Sequence, residues 1–585
     1  MPSATKDQIA DVLESIARLL ELKGENPFKI RAYTNAVRTL ETAVLDEAGL
    51  RDLEKLKELD GIGDAIALKI ATLASTGKLP FYEELKEEFP PDLFELFELQ
   101  GLGAKKIKIL YEKLDVRSIR KLERACRDGS VAGLAGFGEK TAANILEAIE
   151  QRKKFQDQFL FGDIAPLADT ILQGLKRHPD VLHAEIAGSF RRRKEIIRDL
   201  DFIVSTRNPT AVAKYFTESD EVENIIANGE TKCSVLLKRG IQADLRMVSS
   251  EDYPFALVYF TGSKEHNIRL RQRALDHGWS LNEYRFSIPE NAKKKVTPPA
   301  VSEERDIYKA LGLDLIPPEL REDHGEFDAA EKHNLPDLIK LENLRGTFHC
   351  HTTESDGHDS LEAMAKAAQD LGLEYLGIAD HSKSSFQAHG LDEKRLAAQG
   401  EEIKRLNKAH KDFRIFAGTE CDILKDGSLD FSDEVLAELD YVVVSIHNSF
   451  TLGEAEMTAR IIKAMSNPYV TMLGHLTGRL LLSRPPYAVN IPAIIEAAAE
   501  TKTIIELNAN PRRLDMDWRW WHLAKEKGVR CAINPDAHTT DGLQALYFGT
   551  GIARKGWLTK KDVVNCLPLA KISVEIDKKR KHFKK

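Results

Sequence analysis

No apolar run in this chain approaches the roughly 20 residues that a membrane-spanning helix needs, so no membrane span is expected. Cysteine is scarce: six in 585 residues, scattered and with no CxxC pair, which suits reduced, buried thiols better than a disulfide framework. Net positive charge is missing as well. The 84 Lys and Arg against 92 Asp and Glu leave −8, so any binding to nucleic acid must rest on local clusters. FRRRK (190–194), KEHNIRLRQR (264–273) and KKRKHFKK (578–585) are such clusters, although each alone suits a solvated surface. The first residues, MPSATKDQIADVLESIARLL, pattern as an amphipathic helix and resemble neither a secretory signal nor a transit peptide, so a cytoplasmic location is expected. A length of 585 residues suits several domains with separate cores.

What the chain does have begins with a repeat. LDGIGDAIALKI (59–70), LQGLGAKKIKIL (99–110) and LAGFGEKTAANIL (134–146) each read Leu-x-Gly-apolar-Gly, then a helix. Glycines two apart permit a tight turn and leave N–H groups uncovered at the next helix's N-terminus, where the helix dipole favours a phosphate. The pattern resembles the helix-hairpin-helix motif of non-sequence-specific DNA binders. It marks Gly61, Gly63, Gly101, Gly103, Gly136 and Gly138 as DNA-backbone contacts in an all-helical region to about residue 150.

In RDLDFIVST (198–206), strand spacing turns Asp199 and Asp201 to one face while Leu200, Phe202 and Val204 pack on the other. Two carboxylates so close repel each other unless a divalent cation lies between them. AGSFRRRKE (187–195) lies just upstream, small residues followed by a basic run suited to a triphosphate. IQADLRMVS (241–249) offers Asp244, with Arg246 on its face to neutralise it. Three carboxylates with a triphosphate clamp spell nucleotidyl transfer.

GSFRR, DLD, the later lone Asp, YFTGSKEHNIRLRQRA (259–274) and NEYRF (282–286) together resemble the family X DNA polymerases, of the DNA polymerase beta type, over about residues 1–320. The resemblance implies that Asp199, Asp201 and Asp244 hold two Mg²⁺ (or Mn²⁺) ions. Gly188, Ser189 and Arg192 would meet the triphosphate, Tyr259 and Phe260 would lie beneath the incoming sugar, and Gly262, Ser263 and Lys264 complete that segment. Asn267 and Arg271 match groups that probe the nascent pair from the minor groove. Lys264 stands where the vertebrate repair enzyme has an acidic residue. Lys69 stands at the family's lyase nucleophile, with Lys29 and Tyr33 matching, but Ala65 and Phe28 replace polar members of that pocket; a helix-surface lysine with a packed stem stays open.

After IPPELREDHGEFDAAEKHNLPDL (316–338) the pattern changes to short apolar strands, each ending in a polar cluster and followed by a helix, as in a (β/α) barrel. Strand ends bear FHCHTTESDG, GIADHS, AGTECDI, VVSIHNS, MLGHLTG, IIELNANP and AINPDAHT. Every strand after the first, except the one ending IIELNANP, adds a His, Glu or Asp at its tip, and imidazole with carboxylate suits Zn²⁺, Mn²⁺ or Fe²⁺. Glu420 is placed to bridge two ions, and Cys350 is expected to point into the core. The set resembles the PHP (polymerase and histidinol phosphatase) domain over about 340–575. That resemblance implies a trinuclear cluster on His349, His351, Asp356, His381, Glu420, His447, His475, Asp536 and His538, hydrolysing phosphoesters as a 3′-5′ exonuclease or 3′-end phosphoesterase.

The expected architecture is therefore multidomain α+β and α/β. It comprises a lyase-type helical domain (1–80), a fingers-like domain with two hairpin repeats (81–155), a nucleotidyltransferase palm with a mixed sheet (156–250), a thumb-like domain (251–318), a linker (319–341) and a distorted (β/α)7 barrel (342–585). The expected activity is gap-filling DNA polymerisation of the base excision repair type, on gapped or primer-template DNA with deoxynucleoside triphosphates, by a bacterial or archaeal monomer that carries its own 3′-end nuclease. Template-independent nucleotidyl transfer and a DNA-binding scaffold with a non-catalytic barrel are the alternatives.

Overall fold

The computed structural model describes residues 4, 6–43, 45, 48–59, 61–99, 102–155, 157–289 and 296–583; Gly101 and the last two residues of the basic tail lie outside these. The chain divides into two compact units, Met1–Gln156 and Asp157–Lys585.

The described elements of the first unit are all helical, including α1 (Lys6–Lys23), α2 (Pro27–Thr42), α3 (Asp64–Thr76), α4 (Ala104–Leu114) and α5 (Glu139–Phe155). Their apolar residues recur at helical spacing and gather into two cores. One is built on Leu13, Leu20, Leu40, Ile66 and Ile70, the other on Leu96, Ile107, Leu110, Leu122 and Ile149.

The second unit opens with a five-stranded mixed sheet. Its strands β1 (Val181–Ile186), β2 (Asp199–Thr206), β3 (Val222–Asn228), β4 (Lys232–Leu237) and β5 (Gln242–Val248) lie in the order β1-β2-β5-β4-β3. Only β2 and β5 run parallel. Alternation along β2 buries Leu200, Phe202 and Val204 in a core shared with α6 (Phe161–Arg177). Ile203, on the other face, packs against Ala256 and Leu257 of α7 (Tyr253–Thr261). Both faces are covered, so the aspartates of this strand emerge at its open end.

The side chain of Ser263 accepts from the His266 backbone N–H and starts α8 (Lys264–Asp276). His266 is fully buried, 2.8 Å from the Glu326 carboxylate and 2.9 Å from the Tyr308 hydroxyl. Glu326 belongs to the connecting stretch 319–341, which is itself folded: Arg321, Phe327, Ala330 and Ile339 are buried there.

The last 240 residues form a barrel-like fold of parallel strands: β6 (Gly346–Cys350), β7 (Tyr375–Ile378), β8 (Arg414–Ala417), β9 (Glu420–Asp422), β10 (Val443–Ser445), β11 (Met472–Leu473), β12 (Ile504–Asn508) and β13 (Cys531–Asn534). β8 and β9 are halves of one strand interrupted at Gly418 and Thr419, which leaves seven strand positions. The ring closes through a parallel bridge between Cys350 and Ala537 and a 3.1 Å hydrogen bond from the Thr347 hydroxyl to the Ile533 carbonyl. Phe348, Tyr375, Phe416, Tyr441, Met472 and Ile504 share one buried cluster. Glycine makes room for these rings. A Cβ at Gly377 would stand 2.4 Å from the Phe348 ring and 2.6 Å from the Tyr441 hydroxyl.

Barrel and sheet meet along α9 (Leu546–Lys555) and the loop after β12. Phe161 packs against Phe190 at 4.6 Å and against Phe548 of α9 at 5.9 Å, ring centre to ring centre. Gly162 lies so near Pro511 that a Cβ would come within 2.3 Å of the proline ring.

Gly377→Ala therefore overpacks the barrel and should cost about 1–3 kcal/mol of stability, read as a lower denaturation midpoint. Gly400→Ala should shift it the other way, by about 0.5–1 kcal/mol, because a Cβ there meets nothing within 4 Å in the middle of the helix Glu393–Asn407. Equal shifts from both would refute the packing account.

Candidate active sites

The three repeated turns each deliver a helix. α3, α4 and α5 begin directly after Gly63, Gly103 and Gly138, and neither Gly63 nor Gly103 offers a side-chain cap to the first-turn N–H groups. Gly61 and Gly136 hold φ of +78° and +85°, the left-handed region the turn requires. A Cβ at Gly63, Gly103, Gly136 or Gly138 would meet no atom within 4 Å. Internal packing thus does not demand glycine at these four positions, whereas close approach of an external backbone would. Gly101 lies outside the described residues. On α3, the Lys69 ammonium lies 4.8 Å from the Phe81 ring centre and 5.9 Å from that of Tyr33. Burial, then the charge of Lys29, lowers its pKa.

In the parallel pair, Asp201 stands opposite Asp244 and Asp199 opposite Gln242, so the three carboxylates share one face of the sheet. Burial, then the charges of Asp199 and Asp244, push Asp201 up to about 7. Burial and Asp244 also raise Asp199. Burial would raise Asp244 too, yet hydrogen bonds from Lys232, Gln242 and Ser234 hold it below the usual carboxylate range. Lys232 Nζ is 2.6 Å from the Asp244 carboxylate. Arg246, expected to neutralise Asp244, instead lies 4.1 Å over the Phe260 ring, and its charge acts on Asp201. The flexible Lys232 reaches diagonally across the antiparallel ladder to Asp244, while the Arg246 guanidinium is drawn to an aromatic face.

The segment before β2 fits against this face. Gly188 has φ of +61°, and a Cβ there would come within 2.5 Å of an Asp201 carboxylate oxygen. Ser189 follows, half-buried. Arg192 donates through Nε to Glu322 at 3.1 Å and through Nη1 to the Thr261 carbonyl, and a Cβ on Gly262 would lie 3.0 Å from Nη1. Lys264 is exposed at the start of α8. Asn267 Nδ2 donates to the Tyr259 carbonyl at 2.7 Å, Arg271 Nε to the Asn267 carbonyl at 3.3 Å, and the Tyr259 and Phe260 rings meet edge to face at 5.0 Å. The residues that follow divide among several partners. Arg193 stacks over Tyr547 at 4.6 Å, Lys194 pairs with Glu322 at 3.2 Å, and Glu195 lies 3.7 Å from Arg479.

At the barrel's strand ends all nine residues singled out in the sequence come together. They form four overlapping groups whose donor atoms lie within 4.8 Å of one another: His351, Asp356, His381 and His538; His349, His351 and Asp536; His349, Glu420 and His475; His381, Glu420 and His447. Glu420 is the hub. Its oxygens lie 2.9 Å from His381 Nδ1 and from His475 Nε2, 3.2 Å from His349 Nε2, 3.3 Å from His447 Nε2 and 3.8 Å from His351 Nε2. Burial alone would raise Glu420, but His447, His349 and His381 hold it well below the usual range. Among the described residues, buried His349 Nε2, both ring nitrogens of His351, His381 Nδ1 and His475 Nδ1 lack hydrogen-bond partners. Buried imidazole lone pairs around an ionised carboxylate fit metal coordination, and few other arrangements would leave them unpaired. His349 and Asp536 hold φ of +58° and +52°, rare for residues with a side chain. The register of β6 slips between Thr347 and Cys350, so both histidines of HxH reach the cluster while Cys350 is buried among Leu361, Met364 and Ile378.

Comparison with known proteins finds four family matches along the chain. Residues 4–79 match the helix-hairpin-helix domain, 94–151 the SAM-like helix-hairpin-helix tandem, 256–322 the DNA polymerase beta thumb and 347–510 the PHP domain. The chain is 39% identical, over 96% of its length and 98% of the relative's, to the DNA polymerase/3′-5′ exonuclease PolX of Bacillus subtilis. It belongs to the family X DNA polymerases that carry a C-terminal PHP domain. A probable phosphatase of Clostridium acetobutylicum is 30% identical over 33% of the chain and 78% of its own length. One from Thermoanaerobacter is 28% identical over 37% and 88%.

Sequence reading passed over two acidic residues of this PHP-bearing polymerase. The strand ending IIELNANP does contribute to the site: Glu506, fully buried, accepts from His349 Nδ1 at 2.6 Å and from Asn508 and Asn534 at 2.9 Å. Asp422 accepts from His447 Nδ1 at 3.0 Å and from the Ser385 hydroxyl at 2.6 Å. The signals were present, an acidic residue inside an apolar strand and an i, i+2 pair in ECD that repeats the logic of DLD.

Asp201→Asn should raise the melting temperature of the metal-free polymerase at pH 8, since it removes a buried charge whose neighbours repel it. A carboxyl raised from 3.8 to about 7 binds its proton more tightly when folded, so the stability it lends is full below pH 3.8 and lost as pH rises through about 7. The advantage of Asn should therefore shrink toward pH 5; thermal melts at both pH values, with chelator, would expose a constant or inverted difference.

Proposed function

We propose that this chain fills short gaps in DNA under repair, adding nucleotides at the carboxylate face of the sheet and trimming or cleaning 3′ ends at the barrel, as a cytoplasmic monomer. The observation that carries the reading is the convergence of two separate acidic clusters, each with its own setting of cations or imidazoles, on one chain. The relative's name joins the same two activities.

Asp199, Asp201 and Asp244 would hold Mg²⁺ or Mn²⁺, and the nine barrel residues would hold Zn²⁺, Mn²⁺ or Fe²⁺. Such ions, when bound, supply Lewis acidity to the reacting phosphates and lower the pKa of the attacking hydroxyl or water.

The chain's own groups then divide the work. Ser189 and Arg192 bind the triphosphate, and Gly188 lets the backbone lie against Asp201. Tyr259 and Phe260 support the sugar. Asn267 and Arg271 read the minor-groove edge of the new pair, which favours a templated enzyme over template-independent transfer. In the barrel, His349 donates its Nδ1 proton to Glu506 and His447 donates its own to Asp422, so each keeps an Nε2 lone pair turned toward Glu420. Arg513, with Nε 3.3 Å from Asp536 and a buried Nη1 lacking a partner among the described residues, adds positive charge where a phosphate would lie. The uncovered hairpin turns grip the duplex backbone without reading sequence.

A gapped duplex with a 3′ mismatch, titrated with Mg²⁺ and Mn²⁺ with and without nucleotides, tests the whole reading. Asp201→Ala should abolish extension and leave exonuclease intact; His351→Ala should do the reverse. Glu506→Gln should lower exonuclease activity about 10- to 100-fold, as expected for a group that orients a ligand, with extension unchanged. Loss of both activities in a folded Asp201→Ala or His351→Ala protein would refute the two-site assignment.

A further inference from the structure

Arg192 is the residue of the basic run whose charge acts on Asp199, yet the group that holds it comes from outside the sheet. Glu322, the last residue of the thumb match, begins the folded stretch that leads to the barrel and is nearly buried. Its carboxylate meets three cations: Arg192 Nε at 3.1 Å, Lys194 Nζ at 3.2 Å and Lys555 Nζ at 2.5 Å. Lys555 closes the last turn of α9 in the barrel and is fully buried. Its ammonium also donates to the Arg192 carbonyl at 3.0 Å and to the Glu319 carbonyl at 3.4 Å, and lies 4.8 Å from the Trp518 ring centre. The neighbouring Arg554 donates to the Glu319 carboxylate at 2.6 Å. The end of one barrel helix thus holds residues 319 and 322 and the main chain of Arg192 together.

The guanidinium itself is fixed on two edges. Nε goes to Glu322 and Nη1 to Thr261, while Nη2 has no hydrogen bond among the described residues. A planar fork held through two of its nitrogens has little freedom left, and Nη2 keeps its donors for an incoming anion. Burial would raise Glu322, but Lys555, Arg192 and Lys194 hold it at about 2, so it stays ionised.

We propose that Glu322, pinned by Lys555 of the barrel, is a positioning residue of the polymerase site: it orients Arg192 toward the nucleotide's triphosphate, so that nucleotide affinity depends on a residue of the PHP domain. This rests on Arg192 being a triphosphate contact. Glu322 touches no reacting group. Its loss lets the guanidinium rotate and weakens ground-state binding more than the chemical step.

The experiment uses the full-length protein on a single-nucleotide gap. It measures KM and kcat for the incoming deoxynucleoside triphosphate, with exonuclease rate and melting temperature from the same preparations. Glu322→Gln should raise KM about tenfold with kcat changed less than about threefold and exonuclease unaltered. Lys555→Met should shift KM in the same direction. Arg192→Ala should raise KM at least as far, and adding Glu322→Gln to it should change nothing more. Should a single variant fail to fold, the Glu322→Gln, Lys555→Met pair, which leaves neither charge of that contact buried alone, takes its place with the same expected KM. An unchanged or lower KM in folded Glu322→Gln, or an equal KM rise when Arg192 is already absent, overturns the proposal. An unchanged KM in Arg192→Ala overturns instead the reading of Arg192 on which it rests.

Discussion

Charge crowded out of water is the constraint around which this chain is arranged. Glu420 is almost wholly buried with five imidazoles within 4 Å of its oxygens, and Asp201 is raised to about 7 by burial and two carboxylate neighbours. Neither arrangement is one that a chain selected for stability alone would keep, because desolvated charge costs far more than the apolar side chain that could replace it. The surrounding scaffold answers that cost locally. Asn508 and Asn534 hold Glu506, Ser385 holds Asp422, and Lys232 with Gln242 holds Asp244, so the outer acidic groups are satisfied while the inner ones stay open toward a cation.

The fold places these groups by ordinary means. Parallel pairing of β2 with β5 sets Asp201 opposite Asp244, and apolar alternation along β2 leaves the aspartates nowhere to go but the open end. In the barrel, aromatic rings around Phe348 and Tyr441 fill a buried layer, with glycine at 346, 377 and 418 where those rings approach the strands. Left-handed backbone at His349 and Asp536 is tolerated because the packed strands on either side determine it.

Much of this was legible in the sequence where the chemistry is local. DLD on a strand, HxH at a strand end and Leu-x-Gly-apolar-Gly before a helix each carry their geometry in their spacing: the aspartates share a face, the histidines gather, and a helix starts after each of Gly63, Gly103 and Gly138. What spacing could not carry was the choice among partners distant along the chain. Arg246 sits two residues from Asp244, yet Lys232 from the next strand takes the carboxylate. The run RRRKE reads as one basic patch. In the fold its members spread: Arg191 pairs with Glu304, Arg192 and Lys194 share Glu322, Arg193 lies over Tyr547 and Glu195 meets Arg479, because a turn before a strand points neighbouring side chains in different directions. Glu506 was hidden for the same reason: its meaning depends on His349, 157 residues away.

That parting of the basic run has a mechanical meaning. Between Gly188, which underlies Asp201, and Glu195, which faces Arg479 of the barrel, lie only a few residues, and nearly every one of them is anchored. Phe190 packs on Phe161 and through it on Phe548, while Lys555 and Glu322 lie buried against each other. Sliding the barrel away from the sheet would strand an ammonium and a carboxylate in a low-dielectric seam and expose three packed aromatic rings. The cost of unpairing even one buried ion pair is comparable with a sizeable share of a domain's whole stability. The two clusters are therefore parts of one compact unit, held together by contacts that are costly to break.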